Sequence, residues 1–128
     1  MFRLSAASKR NRVGVDHRLI EIGDLAIKIT RVDFGYPDTG GLRNATQQLF
    51  LYKSGKSGAD GYKVISAHQR GKALDFFAYV DGKANYSHAA LTAVASAHYE
   101  SAMRLGYRIK WGGFFKSMID MPHIELID

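Results

Sequence analysis

Four residues of this chain have the types and spacing for metal-assisted hydrolysis: His68, Asp75, Asp120 and His123. Asp75 sits inside the apolar run Ala73-Leu74-Asp75-Phe76-Phe77-Ala78-Tyr79-Val80, which reads as one strand. A carboxylate there is costly unless it is paired or bound to a metal. Taken alone, Asp75 pairs with an arginine or lies on an exposed sheet face. His68 precedes it in Ser66-Ala67-His68-Gln69-Arg70-Gly71-Lys72, where Gly71 permits a tight entry into the strand. A loop histidine and a strand carboxylate can then converge on one point, although many proteins contain such a pair by chance.

The C-terminal run Asp120-Met121-Pro122-His123-Ile124-Glu125-Leu126 adds a second histidine. In a strand, His123 and Glu125 share one face, while Ile124 and Leu126 share the other. Pro122 is tolerated at a strand start. His68, Asp75 and His123 then make three ligands with a fourth position open, the form of a catalytic zinc site. Such a metal lowers the pKa of its water to about 7 and polarises a carbonyl. Asp120, just outside the strand, is placed to take the water's proton and pass it to a leaving amine. Arg43 is a candidate for substrate binding or oxyanion stabilisation. Of the other histidines, His17 and His88 read as surface or helix-start residues, and His98 as a satisfied core histidine. Trp111-Gly112-Gly113 reads either as a glycine turn with a packed Trp or as a cleft wall.

The elements that must position these residues mix helix and strand without regular βαβ alternation, which argues for an α+β fold. A helix is expected from Asp16, as cap, to about Ile29, and a strand over Val32–Tyr36. A second helix over Ala45–Ser54 has Asn44 and Gln47 as its capping pair, Ala45, Leu49 and Tyr52 on one face, and Gly55 as its end. Lys53–Lys63 is glycine- and lysine-rich and reads as a mobile loop. A third helix, Ser87–Leu105, carries Leu91, Val94, Ala95, His98, Ala102 and Leu105 on one stripe and stops at Gly106. Short strands follow near Tyr107–Trp111 and His123–Ile127.

The 128 residues, 46% apolar and 23% charged, bound the answer to one domain with its own core. No apolar run approaches the roughly 18 residues of a membrane span, and the N-terminus lacks a secretory signal. The absence of cysteine excludes disulfides, iron–sulfur clusters and Cys-ligated zinc. The net charge of +6 suits polyanionic partners, although on charge alone a solvated, soluble surface is the simpler reading. Arg3, Lys9, Arg10, Arg12 and Arg18 concentrate that charge in the first 18 residues, against Asp16 alone.

In order, Ser66-x-His68-x-x-Gly71-x-Ala73-x-Asp75, Trp111-Gly112-Gly113 and Asp120-x-x-His123-x-Glu125-Leu126 resemble the zinc D-Ala-D-Ala carboxypeptidase family. Within it they resemble the bacteriophage L-alanyl-D-glutamate endopeptidases, which serve as endolysins. Phe2-x-Leu4-Ser5, Val15 through Leu19, Val32-Asp33-Phe34, Gly41-Leu42-Arg43, Gln48 and Asp81-Gly82 extend the likeness over nearly the whole chain. The resemblance implies residues 1–128 as a single zinc peptidase domain with a small antiparallel sheet and helices packed against it, like hedgehog and DD-peptidase domains. It implies one Zn2+ on His68, Asp75 and His123, Asp120 as catalytic carboxylate, and Arg43 at the transition state. Ser66, Gln48, Trp111 and Glu125 would then support the ligands or line the cleft. The implied work is cutting peptidoglycan in the periplasm after synthesis in the host cytoplasm, as a monomer exported with a holin. Nucleic acid and membrane insertion play no part. The basic N-terminus, through Lys9, Arg10 and Arg12, would supply envelope affinity. One departure stands out: many relatives have Asp and Trp after the Trp-Gly-Gly triplet, where this chain has Phe114 and Phe115. Two other readings compete, a D,D-carboxypeptidase or dipeptidase acting at D-Ala, and a non-catalytic basic module binding wall or nucleic acid.

Overall fold

The computed structural model describes residues 1–128. Ser5 caps a short helix, α1 (Ala6–Asn11), by accepting the Ser8 N–H. Asp16 caps α2 (His17–Ile29) in the same manner through the Arg18 N–H. Asn44 and Gln47 form a reciprocal capping box on α3 (Ala45–Lys53). Ser87 caps α4 (His88–Leu105), and Gly106, at φ +79°, ends it in the left-handed conformation that glycine adopts most easily.

The strands form two three-stranded antiparallel sheets. One has the order β1 (Asp33–Gly35), β3 (Phe77–Val80), β4 (Lys83–Asn85), and the other β2 (Ala73–Asp75), β6 (His123–Leu126), β5 (Ile109–Trp111). The single strand expected over Ala73–Val80 is therefore two. The chain changes sheets at Phe76, whose N–H makes the last bond of the β2–β6 register, to the Pro122 carbonyl at 2.8 Å, while Pro122 has no N–H to return. Asp75 is the last residue before that change, paired in register with His123.

Helix α4 packs on α2 and touches β3 of one sheet and β5 of the other, so the core spans both. Leu19, Ile22, Ala26, Leu74, Phe76, Val94 and Ile124 are all fully buried there. The α4 stripe is as expected except that Leu105, beside the terminating glycine, is exposed. Asp16 binds Arg18 and Lys72, and Arg18 also reaches Asp128, tying the start of α2 to the end of the second sheet where β2 begins and β6 finishes. The Arg18 and Lys72 hydrogen bonds hold the Asp16 carboxyl well below the usual carboxylate range.

Four expectations need correction. Helix α1 and strand β4 were not anticipated; the first is only six residues long, and the second is a hairpin arm closed by Asp81 and Gly82, both at positive φ. Helix α3 does not bury Ala45, Leu49 and Tyr52; its buried residue is Gln48, and Tyr52 is exposed. Lys53–Lys63 is pinned rather than loose. Gln48 Nε2 donates to Ser57 Oγ and the Ala59 carbonyl, and one Asp60 oxygen accepts three backbone N–H groups. Arg12 is buried and paired with Asp24 at 2.8 Å, so it cannot belong to a surface patch with Lys9 and Arg10.

Candidate metal centre

His68 lies in a 3-10 turn (Ala67–Arg70) that Ser66 caps and Gln69 closes. Gly71 follows at φ +69° and turns the chain into β2. Register then sets Asp75 opposite His123 across two neighbouring strands. His68 Nε2, His123 Nδ1 and Asp75 Oδ1 stand 3.2 Å from one another on all three sides.

The outer nitrogens decide what the inner ones offer. His68 Nδ1 lies 3.0 Å from the Gly41 carbonyl, and His123 Nε2 lies 2.8 Å from Glu125 Oε1. Both partners only accept, so both outer nitrogens carry hydrogen, and in the neutral rings both inner nitrogens present lone pairs. Two lone pairs and a carboxylate oxygen thus converge on one point, which a metal ion or, in its absence, a proton on His123 can occupy. A tetrahedral metal with bonds of about 2.0–2.1 Å has ligand–ligand edges of about 3.3–3.4 Å, which this triangle matches. His68, Asp75 and His123 can hold a metal ion as they stand.

With no metal bound, the site draws a proton to the His123–Asp75 contact instead. Burial pushes Asp75 up, but hydrogen bonds from His123 and His68 outweigh it and hold the carboxyl well below its ordinary range. Burial disfavours charge on His123, yet Asp75 and Glu125 raise its pKa to about 9. The His123 contact lowers Glu125 in turn.

Arg43 is more constrained than its type reveals. Its Nη2 donates to Asp75 Oδ2 at 3.0 Å, Nε to the Thr39 carbonyl at 2.6 Å and Nη1 to Gln48 Oε1 at 3.2 Å. Asp75 therefore gives one oxygen to the histidines and the other to Arg43, satisfying both readings of a carboxylate in that strand. Gln48, fully buried, spends its amide on Arg43, Ser57 and Ala59. No sequence signal other than the family likeness marked Gln48 as a bridge to that loop. The Gly41 and Thr39 carbonyls were also missed, since backbone groups leave no trace in residue type.

Asp120 Oδ2 lies 3.8 Å from His123 Nδ1 on a half-exposed side chain. Burial, then the nearby Asp75 charge, raise its pKa. The Trp-Gly-Gly triplet explains its placement. The Asp120 N–H donates to the Gly112 carbonyl, and a Cβ on Gly112 would sit 2.0 Å from the Asp120 carbonyl oxygen. A Cβ on Gly113 would meet the Trp111 ring at 2.5 Å. Trp111 itself is buried, with its indole N–H on the Met121 carbonyl. The triplet is thus a close-approach turn that seats Asp120. Phe115 lies against His123, with ring centroids 5.7 Å apart. His17 and His88 are exposed, and His98 is a saturated core residue.

The sequence profile of the phage L-alanyl-D-glutamate peptidase family matches residues 1–127. The chain belongs to this family. The crystal structure of the Serratia marcescens L-Ala D-Glu endopeptidase ChiX is similar, with a TM-score of 0.84 at 28% identity. The match covers 98% of this chain and 90% of that one. No curated protein sequence matches. Membership makes the chain a peptidoglycan endopeptidase with a DD-peptidase-like fold, in place of the D-Ala carboxypeptidase and binding-module readings.

Proposed function

We propose that this family member is a zinc-dependent phage endolysin, cutting the L-alanyl–D-glutamate bond with His68, Asp75 and His123 as its metal ligands. The observation that carries the proposal is the 3.2 Å triangle of lone-pair donors, each fixed from behind. Zinc, when bound, supplies Lewis-acid polarisation of the peptide carbonyl and activation of water.

The remaining work falls to the chain's own groups. Asp120 takes the proton from the attacking water and delivers it to the departing D-glutamate nitrogen. Its raised pKa suits a carboxylate that must hold that proton between the two steps. Arg43 has five N–H groups and spends three on Asp75, Thr39 and Gln48, leaving two to face charge developing on the carbonyl oxygen. Gly41 and Glu125 orient the two imidazoles, and Ser66 fixes the turn that carries His68. Gln48 and Trp111 support the site from behind, through Arg43 and the Asp120 turn respectively.

No helix is long and apolar enough to cross a membrane. The proposal has the enzyme made in the host cytoplasm, released to the periplasmic wall by a holin, and active there as a monomer. Mass spectrometry of digested peptidoglycan tests the bond: new N-terminal D-glutamate supports it, and released D-alanine alone contradicts it.

A further inference from the structure

The two segments that lead into the metal ligands expose large apolar side chains. Tyr62, Val64 and Ile65 are 61%, 57% and 48% exposed just before His68. Phe114, Met118 and Ile119 are 73%, 67% and 66% exposed just before Asp120. The segments meet, because a Cβ on Gly58 would come within 2.7 Å of Met118 Sδ. Phe114 is held in place, with its ring edge-on to Trp111 at 5.1 Å and 6.4 Å from Tyr99. A ring fixed on one side and open to solvent on the other is a preformed contact surface. With five further exposed apolar side chains on two segments that touch at Gly58 and Met118, it forms a clustered apolar surface rather than scattered exposure.

We infer that this apolar rim binds the glycan next to the scissile bond, with Phe114 and Met118 as specificity-determining residues. The inference rests on the endopeptidase reading above. In peptidoglycan the stem's L-alanine is joined directly to the lactyl group of the muramyl sugar. An enzyme cutting after that alanine must therefore accommodate a sugar within one residue of its reacting atoms. The sugar offers what the rim takes: pyranose C–H faces for the aromatic rings, and N-acetyl and lactyl methyls for the aliphatic side chains. The rim adjoins the catalytic centre through Phe115, which touches His123, and through Ile119, the neighbour of Asp120. Contacts with this non-reacting part of the substrate would accelerate cleavage by positioning the bond.

The test compares two substrates that share one stem peptide: a disaccharide muropeptide, and the free peptide with its L-alanine nitrogen acetylated. The acetyl group keeps the amide and removes the sugar together with the branch of its lactyl arm. Wild-type kcat/KM should be higher on the muropeptide. Phe114→Ala and Met118→Ala should each lower the muropeptide-to-peptide ratio by roughly three- to tenfold, the range of a well-formed aromatic or apolar contact. Phe114→Tyr, which keeps the ring, should restore it. Equal wild-type rates on both substrates, or ratios unmoved by the alanine variants, would overturn the glycan platform alone. Variants that keep the ratio but lose sedimentation with anionic vesicles would assign the rim to lipid and also overturn it. Cleavage of neither substrate by the wild type would overturn the endopeptidase reading itself, and the platform with it.

Discussion

Buried histidines occur in two places in this molecule, and their chemistry is opposite. His98 is fully buried on α4, with Nδ1 on the Val94 carbonyl at 2.8 Å and Nε2 on the Tyr36 hydroxyl at 3.0 Å. Its ring stacks on Phe76 at 5.5 Å. Nothing is left over, and burial pushes its pKa down to about 4. His68 and His123 are almost as buried, yet each spends only its outer nitrogen on a fixed acceptor. The other nitrogens face Asp75 and each other. The two environments even share a strand switch, because Asp75 faces one and Phe76 the other. Burial and residue type do not separate a ligand from a core histidine. What separates them is whether the second nitrogen meets a partner that completes it or a second lone pair.

The sharpest way to break this contrast is to remove a ligand. His68→Ala or Asp75→Ala should abolish bound zinc and lower peptidoglycan clearing by several orders of magnitude, as read by metal analysis and turbidity. Asp120→Asn should keep the zinc and lower kcat by about 10²- to 10⁴-fold, the usual contribution of a general base. Glu125→Gln removes the carboxylate behind His123 and should weaken zinc affinity by about 10- to 100-fold in a competition titration with a chelator.

His98→Phe should leave zinc and kcat intact and cost stability of about 1–3 kcal/mol, chiefly the unpartnered Tyr36 hydroxyl. It should also change the acid profile. A histidine near 6.5 in the unfolded chain and about 4 in the fold binds its proton earlier when unfolded. Its contribution is therefore complete above pH 6.5 and is lost as the pH falls towards 4. The loss is on the order of 3 kcal/mol at 1.36 kcal/mol per pH unit. Urea denaturation between pH 7 and 4 should show a flatter dependence in the variant. The smallest effect expected is at the surface. Lys9→Gln with Arg10→Gln should reduce clearing a few-fold at low salt and hardly at all at high salt. Arg12 must be left alone, because losing its pair with Asp24 would confound the result with stability.

Much of the site was legible because its signals are local. Polar residues in apolar runs stand out, and the period of two put Glu125 beside His123. Caps at Asp16, Asn44 and Ser87, and the stop at Gly106, set three helices. What escaped depends on the third dimension. The break at Phe76 comes where the β2–β6 ladder runs out at Pro122, a residue far along the chain with no N–H to continue it. The burial of Gln48 and Arg12 comes from partners that no periodicity reveals, and the exposed Tyr52 contradicts the simple stripe on α3. Asp120 was identifiable as a candidate, but the reason it sits where it does lies in the two glycines that admit its backbone.

The central claim is that the His68–Asp75–His123 triangle holds the catalytic metal. The most direct test is zinc content and muropeptide cleavage measured together on the wild type and His123→Ala, with folding checked by circular dichroism. The account predicts about one zinc per wild-type chain and cleavage that chelator abolishes and zinc restores. It predicts a folded His123→Ala protein without zinc or activity. A His123→Ala protein that retains both zinc and cleavage would contradict it.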